Sequence, residues 1–297
     1  MVLSYLGRLC SLMNNKTLKV RKILIPMAGE GTRMMPLTRS IPKELLPVGY
    51  KPMFQYALEE AIEVGVKDVC VIVNEKKKTA IHDCILGSVS EKQVESRYCI
   101  ELKKLVLSCN LTFVCQPEPR GLADALYRCK SFVSNEPFII ALPDNVFFSS
   151  TPSLEQMLPA FYKYQKGILG LIKVSAREAK RFGNCGRVSY TRKSGNVYQL
   201  NKLYRKKPGA FLVKEGEIAI RTFSRQIFLP DYFDYIERVR HREGGRGGEQ
   251  DDVPVLQQMI REKELLGCVL KGKGFDVGNW RGYFAANGFL INRRIAD

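Results

Sequence analysis

Hydrophobic and polar positions divide the first half of the chain into short apolar runs separated by stretches of helical spacing. Residues 22–27 (KILIPM) are apolar without alternation, as in a strand buried on both faces of a parallel sheet. Residues 69–73, 111–115 and 137–142 repeat that signal. Between the first two runs, residues 52–64 place Met53, Tyr56, Ala57 and Ala61 on one helical face, and Gly65 ends the helix. A second helix is predicted over 122–133. Strands alternating with helices predict an α/β fold whose sheet is covered on both faces.

The second half is patterned differently. Residues 167–174, 187–190, 197–200 and 217–223 read as strands, several polar at alternate positions, as half-exposed antiparallel strands are. Helices are predicted over 226–240 and 253–264. The intervening 242–252 is rich in glycine and charge and reads as a loop near a site. There is no internal repeat and no linker.

Composition narrows this picture. A chain of 297 residues, 45% hydrophobic, can bury a large core, and no run reaches the roughly 18 apolar residues of a membrane span. Residues 1–13 are apolar on one face, but Arg8 interrupts them and no basic segment precedes them. An N-terminal extension over 1–21 is expected rather than a cleaved leader. The nine cysteines form no C-x-x-C pair and sit in apolar runs, which predicts reduced, buried thiols and a cytoplasmic setting. His82 and His241, the only histidines, lie far apart without a G-x-S-x-G elbow and read as surface residues. The net charge of +17 favours anionic partners. Nucleic acid, an anionic membrane face and phosphorylated small molecules all qualify, and so does a merely solvated basic surface. Short basic runs stand at 76–78 and 205–207.

Candidate chemistry begins directly after the first predicted strand, at 28–33 (AGEGTR). Gly29 and Gly31 let the backbone approach a ligand and offer N–H groups to phosphate, and Arg33 adds a cationic fork. Residues 41–47 (IPKELLP) follow, with K-P-M at 51–53. Lys43 lies between prolines in an apolar stretch, a fixed cation suited to polyphosphate.

The series A-G-x-G-T-R, P-K-E-L-L-P and K-P-M resembles the signature of the sugar nucleotidyltransferases, in the version of bacterial UTP–glucose-1-phosphate uridylyltransferases. The resemblance runs from about residue 22 to 283, dense in the first half and patchy in the second. It implies the nucleotide-diphospho-sugar transferase fold: a Rossmann-like, mainly parallel mixed sheet with helices on both faces and a smaller antiparallel sheet on the sugar side. It implies one domain over 22–297, with a nucleotide half to about 150 and a sugar half beyond. Ala28, Gly29, Gly31 and Thr32 would bind the nucleotide.

Further landmarks follow in family order. In Q-P-E-P-R-G-L at 116–122, the resemblance sets Gln116 and Gly121 against the pyrimidine. An amide both donates and accepts, which fits the N3–H and O4 edge of uracil. Asp144 closes the fourth predicted strand, where a side chain faces the ligand crevice of an open α/β sheet. The resemblance makes Asp144, and Asp276 in F-D-V-G-N at 275–279, the carboxylates that hold Mg2+. That ion takes one or two carboxylates together with phosphate oxygens and waters. Singly, the two aspartates read equally well as turn residues, Lys43 as a loop lysine and Gln116 as a surface amide. Their order and spacing together carry the functional reading.

The sugar half departs from the pattern. Where the family has E-K-P, this chain has Lys206-Lys207-Pro208. Lys207 matches the phosphate-binding lysine, Lys206 stands in place of the acid that reads sugar hydroxyls, and Lys202 is a rival match. Gly186 is the remaining sugar-phosphate candidate. An ammonium at 206 has three donors and no acceptor, which predicts permissive binding of glucose 1-phosphate or preference for a sugar bearing a carboxylate. The family's G-R-Y is absent from 219–221, which read A-I-R. G-L-A-D-A at 121–125 and L-P-D-N-V-F-F at 142–148 resemble the thymidylyltransferase branch. Transfer of a uridylyl group from UTP to glucose 1-phosphate, with Arg33, Lys43 and Lys207 neutralising phosphate charge, is the expected activity. A dTTP-using enzyme and a non-catalytic nucleotide-sugar-binding protein remain alternatives. The expected partners are UTP and a sugar 1-phosphate rather than nucleic acid, in a homo-oligomer, a dimer or a tetramer.

Overall fold

The computed structural model describes residues 18–87, 97–182, 187–204, 211, 213–242 and 250–294. Gly186, Lys206, Lys207, Cys10, Cys185 and most of the N-terminal extension lie outside the described residues, as do 243–249 of the glycine-rich stretch.

The first half contains β1 (Lys22–Pro26), β2 (Pro47–Val48), β3 (Lys51–Pro52), α1 (Gln55–Glu63), β4 (Asp68–Val73), α2 (Glu75–Leu86) and α3 (Arg97–Leu107). It continues with β5 (Asn110–Cys115), α4 (Leu122–Tyr127), α5 (Lys130–Val133), β6 (Phe138–Ala141) and β7 (Asn145–Phe148). The second half adds α6 (Ser153–Tyr164), β8 (Gly167–Ser175), α7 (Ala176–Ala179), β9 (Val188–Ser194), β10 (Val197–Leu203) and β11 (Ile218–Phe228). It ends with α8 (Tyr232–Arg242), α9 (Val253–Arg261), β12 (Leu265–Val269), β13 (Lys273–Asp276) and α10 (Trp280–Arg294).

The apolar run of β1 forms the middle of the parallel block because neither of its faces is polar. Ile23 and Ile25 point into one core cluster, with Phe54 of the α1 entry and Phe161 of α6. Leu24 points into the other, with Phe228, Tyr232 and Phe233. This alternation across the pleat covers the sheet on both faces, as expected. Among the described residues the strand order is β5-β4-β1-β6-β11-β8-β12-β10-β9. β1 runs parallel to β4 and β6, and β4 to β5.

The antiparallel pairing expected for the second half takes two forms. β11 joins the main sheet antiparallel to β6 and β8, and β10 pairs antiparallel with β9 and β12. A separate two-stranded ribbon forms from β13 with β7 of the first half, and another, wholly within the first half, from β2 with β3. The helix expected over 226–240 begins only at Tyr232. Gln226, Ile227 and Phe228 instead continue β11, paired with Ile140, Ile139 and Phe138. A register shift between Phe223 and Gln226 breaks the two-residue alternation there, which disguised one long strand as a strand and a helix. The helix expected over 122–133 is interrupted between Tyr127 and Lys130.

The thiols are not uniformly buried. Cys70, Cys129 and Cys268 are, whereas Cys84 and Cys99 are exposed on α2 and α3. His82 and His241 are exposed. No helix of the described residues is long and apolar enough to cross a membrane.

A third cluster joins Met34 and Leu46 from the loops after β1 to Val146 of β7, Phe275 and Val277 flanking Asp276, and Ala286 of α10. Two polar candidates of the site are therefore next in sequence to a buried apolar anchor: Arg33 to Met34, and Asp276 to Phe275 and Val277.

Candidate active site

The chain leaves β1 through Ala28 and Gly29 into a left-handed Gly31 with φ +69°. A side chain on Gly31 would press on Thr38 Cγ2 at 3.1 Å and Lys43 Cβ at 3.3 Å. Thr38 Oγ1 donates to the Gly31 carbonyl at 2.9 Å, closing the turn. A Cβ on Gly29 would meet nothing within 4 Å, so this backbone is open to a ligand. Thr32–Met34 and Lys43–Leu45 are single 3-10 turns, the second entered from Pro42.

Two carboxylates and two cations converge beside this turn. The pairing of Asn145 with Asp276 across β7 and β13 brings Asp144 and Asp276 together although 132 residues separate them (276 − 144). Lys43 Nζ donates to Asp144 Oδ2 at 2.6 Å. Arg33 bridges the two acids, Nη1 at 3.1 Å from Asp276 Oδ2 and Nη2 at 3.7 Å from Asp144 Oδ2. Asn145 Nδ2 donates to Asp144 Oδ1 at 3.0 Å, and the Gly278 N–H to Asp276 Oδ1 at 3.1 Å. A Cβ on Gly278 would stand 2.6 Å from Asp144 Oδ2 and 3.0 Å from Arg33 Nη2, so glycine keeps the space between the charges clear. Burial alone would raise the Asp144 pKa, but Lys43 and then Arg33 hold it down, to about 2. Burial likewise opposes the charge of Lys43 and Arg33, and the carboxylates outweigh it, raising both pKa values.

Gln116 lies on the far side of the same cavity, 3% exposed. Its Nε2 donates to the Gly121 carbonyl at 3.0 Å and to Asp124 Oδ2 at 2.9 Å. Both amide hydrogens are thus engaged, which orients the amide and leaves its oxygen as the group to offer a ligand. Asp124 also accepts from Arg128 Nε at 3.0 Å and Arg240 Nη2 at 2.9 Å. Gly121, at φ +96°, abuts the backbone of Gln250, which bonds to Arg120 and Ala123.

Ala28, Gly29, Thr32, Gln116 and Gly121 line one cavity of about 690 Å3 with Arg33, Lys43 and Asp144. Gly31 and Asp276 are not among its lining residues; Asp276 meets it through Arg33, at 3.1 Å. Lys202 lies elsewhere: its Nζ is 5.0 Å from the Tyr204 ring, and it lines a different cavity with Gln257 and Arg261. A more apolar cavity of about 440 Å3, between Tyr50, Tyr98 and Leu290, lacks convergent charge. The polar cavity is the candidate site because cations, carboxylates and an open glycine backbone meet there.

Several residues escaped the sequence reading. Glu44 and Lys77 form a buried pair, Nζ to Oε2 3.0 Å. Burial raises the Glu44 pKa and lowers that of Lys77 despite their attraction. Lys77 stood in a basic run at 76–78, yet Lys77, Ile81 and Ile85 recur every four residues on the buried face of α2, a spacing that could have revealed it. Arg225, also fully buried, binds Glu60 at 2.8 Å and the carbonyl of Leu142 at 3.1 Å, two residues before Asp144.

Known proteins resemble the chain over most of its length. The family model described as nucleotidyl transferase matches residues 22–293. The chain is 33% identical over 270 residues to a UTP–glucose-1-phosphate uridylyltransferase of Bacillus subtilis (strain 168), covering 89% of each chain. It is 33% identical over 274 residues to the Mycoplasma pneumoniae protein of that name, covering 91% of each. A solved UDP-glucose pyrophosphorylase complexed with UDP-glucose superposes with a TM-score of 0.78 at 26% identity, over 92% of this chain and 99% of that one. A glycine turn leading into paired cations and carboxylates, on a sheet of this topology and matched over nearly its whole length, places the chain in the nucleotidyl transferase family.

Proposed function

We propose that the protein transfers a uridylyl group from UTP to glucose 1-phosphate, giving UDP-glucose and pyrophosphate. The observation that carries this reading is the cluster of Arg33, Lys43, Asp144 and Asp276 beside an open glycine turn. The names of the relatives support the choice of substrates.

A phosphate oxygen of the sugar 1-phosphate attacks the α-phosphorus of the nucleotide. The bond from that phosphorus to the bridging oxygen breaks, and pyrophosphate leaves with the electron pair. The nucleophile is already an anion and needs no general base. The barrier lies in bringing two anions together, so positioning and electrostatic stabilisation are the available levers. The backbone at Gly29 and Thr32 cradles phosphate, while Arg33 and Lys43 turn from the aspartates to phosphate oxygens. The Gln116 amide oxygen accepts the N3–H of the pyrimidine. That edge is common to uracil and thymine, so the preference for UTP rests on the relatives.

Asp144 and Asp276 fit Mg2+. They are hard oxygen donors held together, with a glycine keeping the space open, and phosphate and water would complete the coordination. The ion would supply positive charge at the phosphates. Gly186, Lys206 and Lys207 belong to the sugar-phosphate side of this reading, the half of the domain beyond about residue 150, and the working form is a homo-oligomer. Pyrophosphate release across UTP and dTTP, each with glucose 1-phosphate and glucuronic acid 1-phosphate, tests the assignment. Absence of turnover with UTP and glucose 1-phosphate would refute it, and faster turnover with dTTP would move the enzyme to the thymidylyl class.

A further inference from the structure

Lys77 reaches the site from behind. It stands in the first turn of α2, on the face that buries Ile81 and Ile85. An ammonium has three donors. Those of Lys77 meet the Gly29 carbonyl, the Met27 carbonyl at 3.5 Å and the Glu44 carboxylate at 3.0 Å. None remains for a substrate, so Lys77 can act only through its partners. Glu44 is wholly buried, and its other oxygen lies 4.0 Å from Lys43 Nζ. Lys43 therefore stands between two carboxylates, and hydrogen-bonds only the one in the cavity, Asp144, at 2.6 Å.

We propose that Lys77 is a positioning residue that occupies Glu44 and thereby keeps the Lys43 ammonium directed into the cavity. A buried carboxylate without a partner is costly and draws in the nearest cation. Without Lys77 that cation is Lys43, which needs to shorten a 4.0 Å separation to form the pair. The same ammonium holds the Gly29 carbonyl, so the glycine turn and Lys43 are set from one point. This inference rests on the reading of Lys43 as a phosphate-binding cation.

The test compares full-length wild type, Lys77→Met, Lys77→Met/Glu44→Gln and Lys43→Ala. Turnover by pyrophosphate release and KM for UTP are measured well below each variant's melting temperature, so that rates report folded enzyme. Lys77→Met is expected to lose about tenfold or more in kcat, and the added Glu44→Gln to recover about fivefold or more, because Lys43 no longer has a competing acid. A structural role alone gives no such recovery in folded protein. If Lys77→Met keeps kcat within about threefold while Lys43→Ala loses it, the inference fails and the reading of Lys43 stands. If Lys43→Ala is itself without effect, the reading of Lys43 fails first, and the inference with it. If Lys77→Met is inactive and Glu44→Gln recovers nothing, the directing role is refuted. Should Lys77→Met not fold, the double variant decides: kcat within about fivefold of wild type supports the proposal and a larger loss overturns it. Failure of both variants to fold assigns the pair to the fold and also overturns it.

Discussion

Replacing Gly121 by alanine tests whether the pyrimidine side of the cavity is built as described. Gly121 has φ 96° and ψ 175°, a region that side-chain-bearing residues hardly enter. Forcing alanine into it costs about 1–3 kcal/mol. Its Cβ would also lie 2.4 Å from the Gln250 carbonyl oxygen and 2.7 Å from its carbon and nitrogen, which are backbone atoms and cannot rotate away. The chain must yield by moving residue 250, which strains or breaks the bonds from Gln250 N to Arg120 O (2.7 Å) and from Ala123 N to Gln250 O (2.9 Å). Two such bonds contribute about 2 kcal/mol together. The expected destabilisation is therefore about 2–4 kcal/mol, since relaxation through one route relieves the other. Function should suffer separately, because the Gly121 carbonyl orients the Gln116 amide at 3.0 Å. Urea unfolding gives the first quantity, and KM for UTP against KM for the sugar phosphate gives the second, with only the nucleotide term expected to rise. An unfolding free energy within about 1 kcal/mol of wild type, with KM for UTP unchanged, would refute the described packing of 121 against 250.

Further outcomes follow from the charged cluster. Asp144→Ala and Asp276→Ala should each abolish magnesium-dependent pyrophosphate release while circular dichroism stays native; near-normal turnover in either removes that residue from the metal site. Lys43→Ala should raise the barrier by about 2–4 kcal/mol, and a loss of turnover smaller than about tenfold would return Lys43 to the role of a loop lysine. The Asp144 carboxyl is held at about 2 in the folded chain against an ordinary 3.8, so its stabilisation is full above 3.8 and disappears as pH falls through about 2. Acid titration of stability in chelator should show this loss, roughly 2 kcal/mol, in wild type and not in Asp144→Asn; equal slopes in the two proteins would contradict the ion pair.

The parts of the fold legible in the sequence are those where one physical signal dominates. The unalternating runs of β1, β4, β5 and β6 lie within a residue of their expected bounds. Of these, β1, β4 and β6 are largely buried and have no polar face to confuse the pattern, whereas β5, at the sheet edge, is only partly buried and is legible by its apolar run alone. Leu265–Val269 (LLGCV) is as apolar, but it follows the helix predicted over 253–264 with no turn signal between them and is not among the predicted strands; it supplies β12 between β8 and β10. The bulge in β11 hid its length. At the site, residues anchored by local chemistry were legible: the glycine turn, Lys43 between prolines and the strand-ending Asp144. Lys77, Glu44 and Arg225 were not, because their roles depend on contacts 33 to 165 residues away in sequence. Arg225 shows the limit well. Nothing in S-R-Q at 224–226 announces that its guanidinium will be fully buried against Glu60 and the Leu142 carbonyl.

Lys77, Glu44, Lys43, Asp144, Arg33 and Asp276 form a row in which cation and carboxylate alternate, three of each, so the formal charges cancel. Cancellation allows six ionised groups to share a largely buried region where any one alone would be costly. It also constrains how a polyphosphate can enter. If Lys43 and Arg33 turn to phosphate oxygens, Asp144 and Asp276 are left as two adjacent negative charges facing more negative charge. Entry of nucleotide is then unfavourable unless a divalent cation takes the place the two side chains vacate. Nucleotide and Mg2+ are therefore expected to bind with positive coupling, on the order of 1–3 kcal/mol, or roughly 5- to 150-fold in affinity. In Lys43→Ala that coupling should shrink, because Asp144 is already without its closest partner and gains less from the exchange. Calorimetric titration of UTP into wild type and Lys43→Ala, with and without Mg2+, measures both couplings. Equal UTP affinity with and without the ion in the wild type would mean that the aspartates do not need their cations replaced, and the exchange would be refuted.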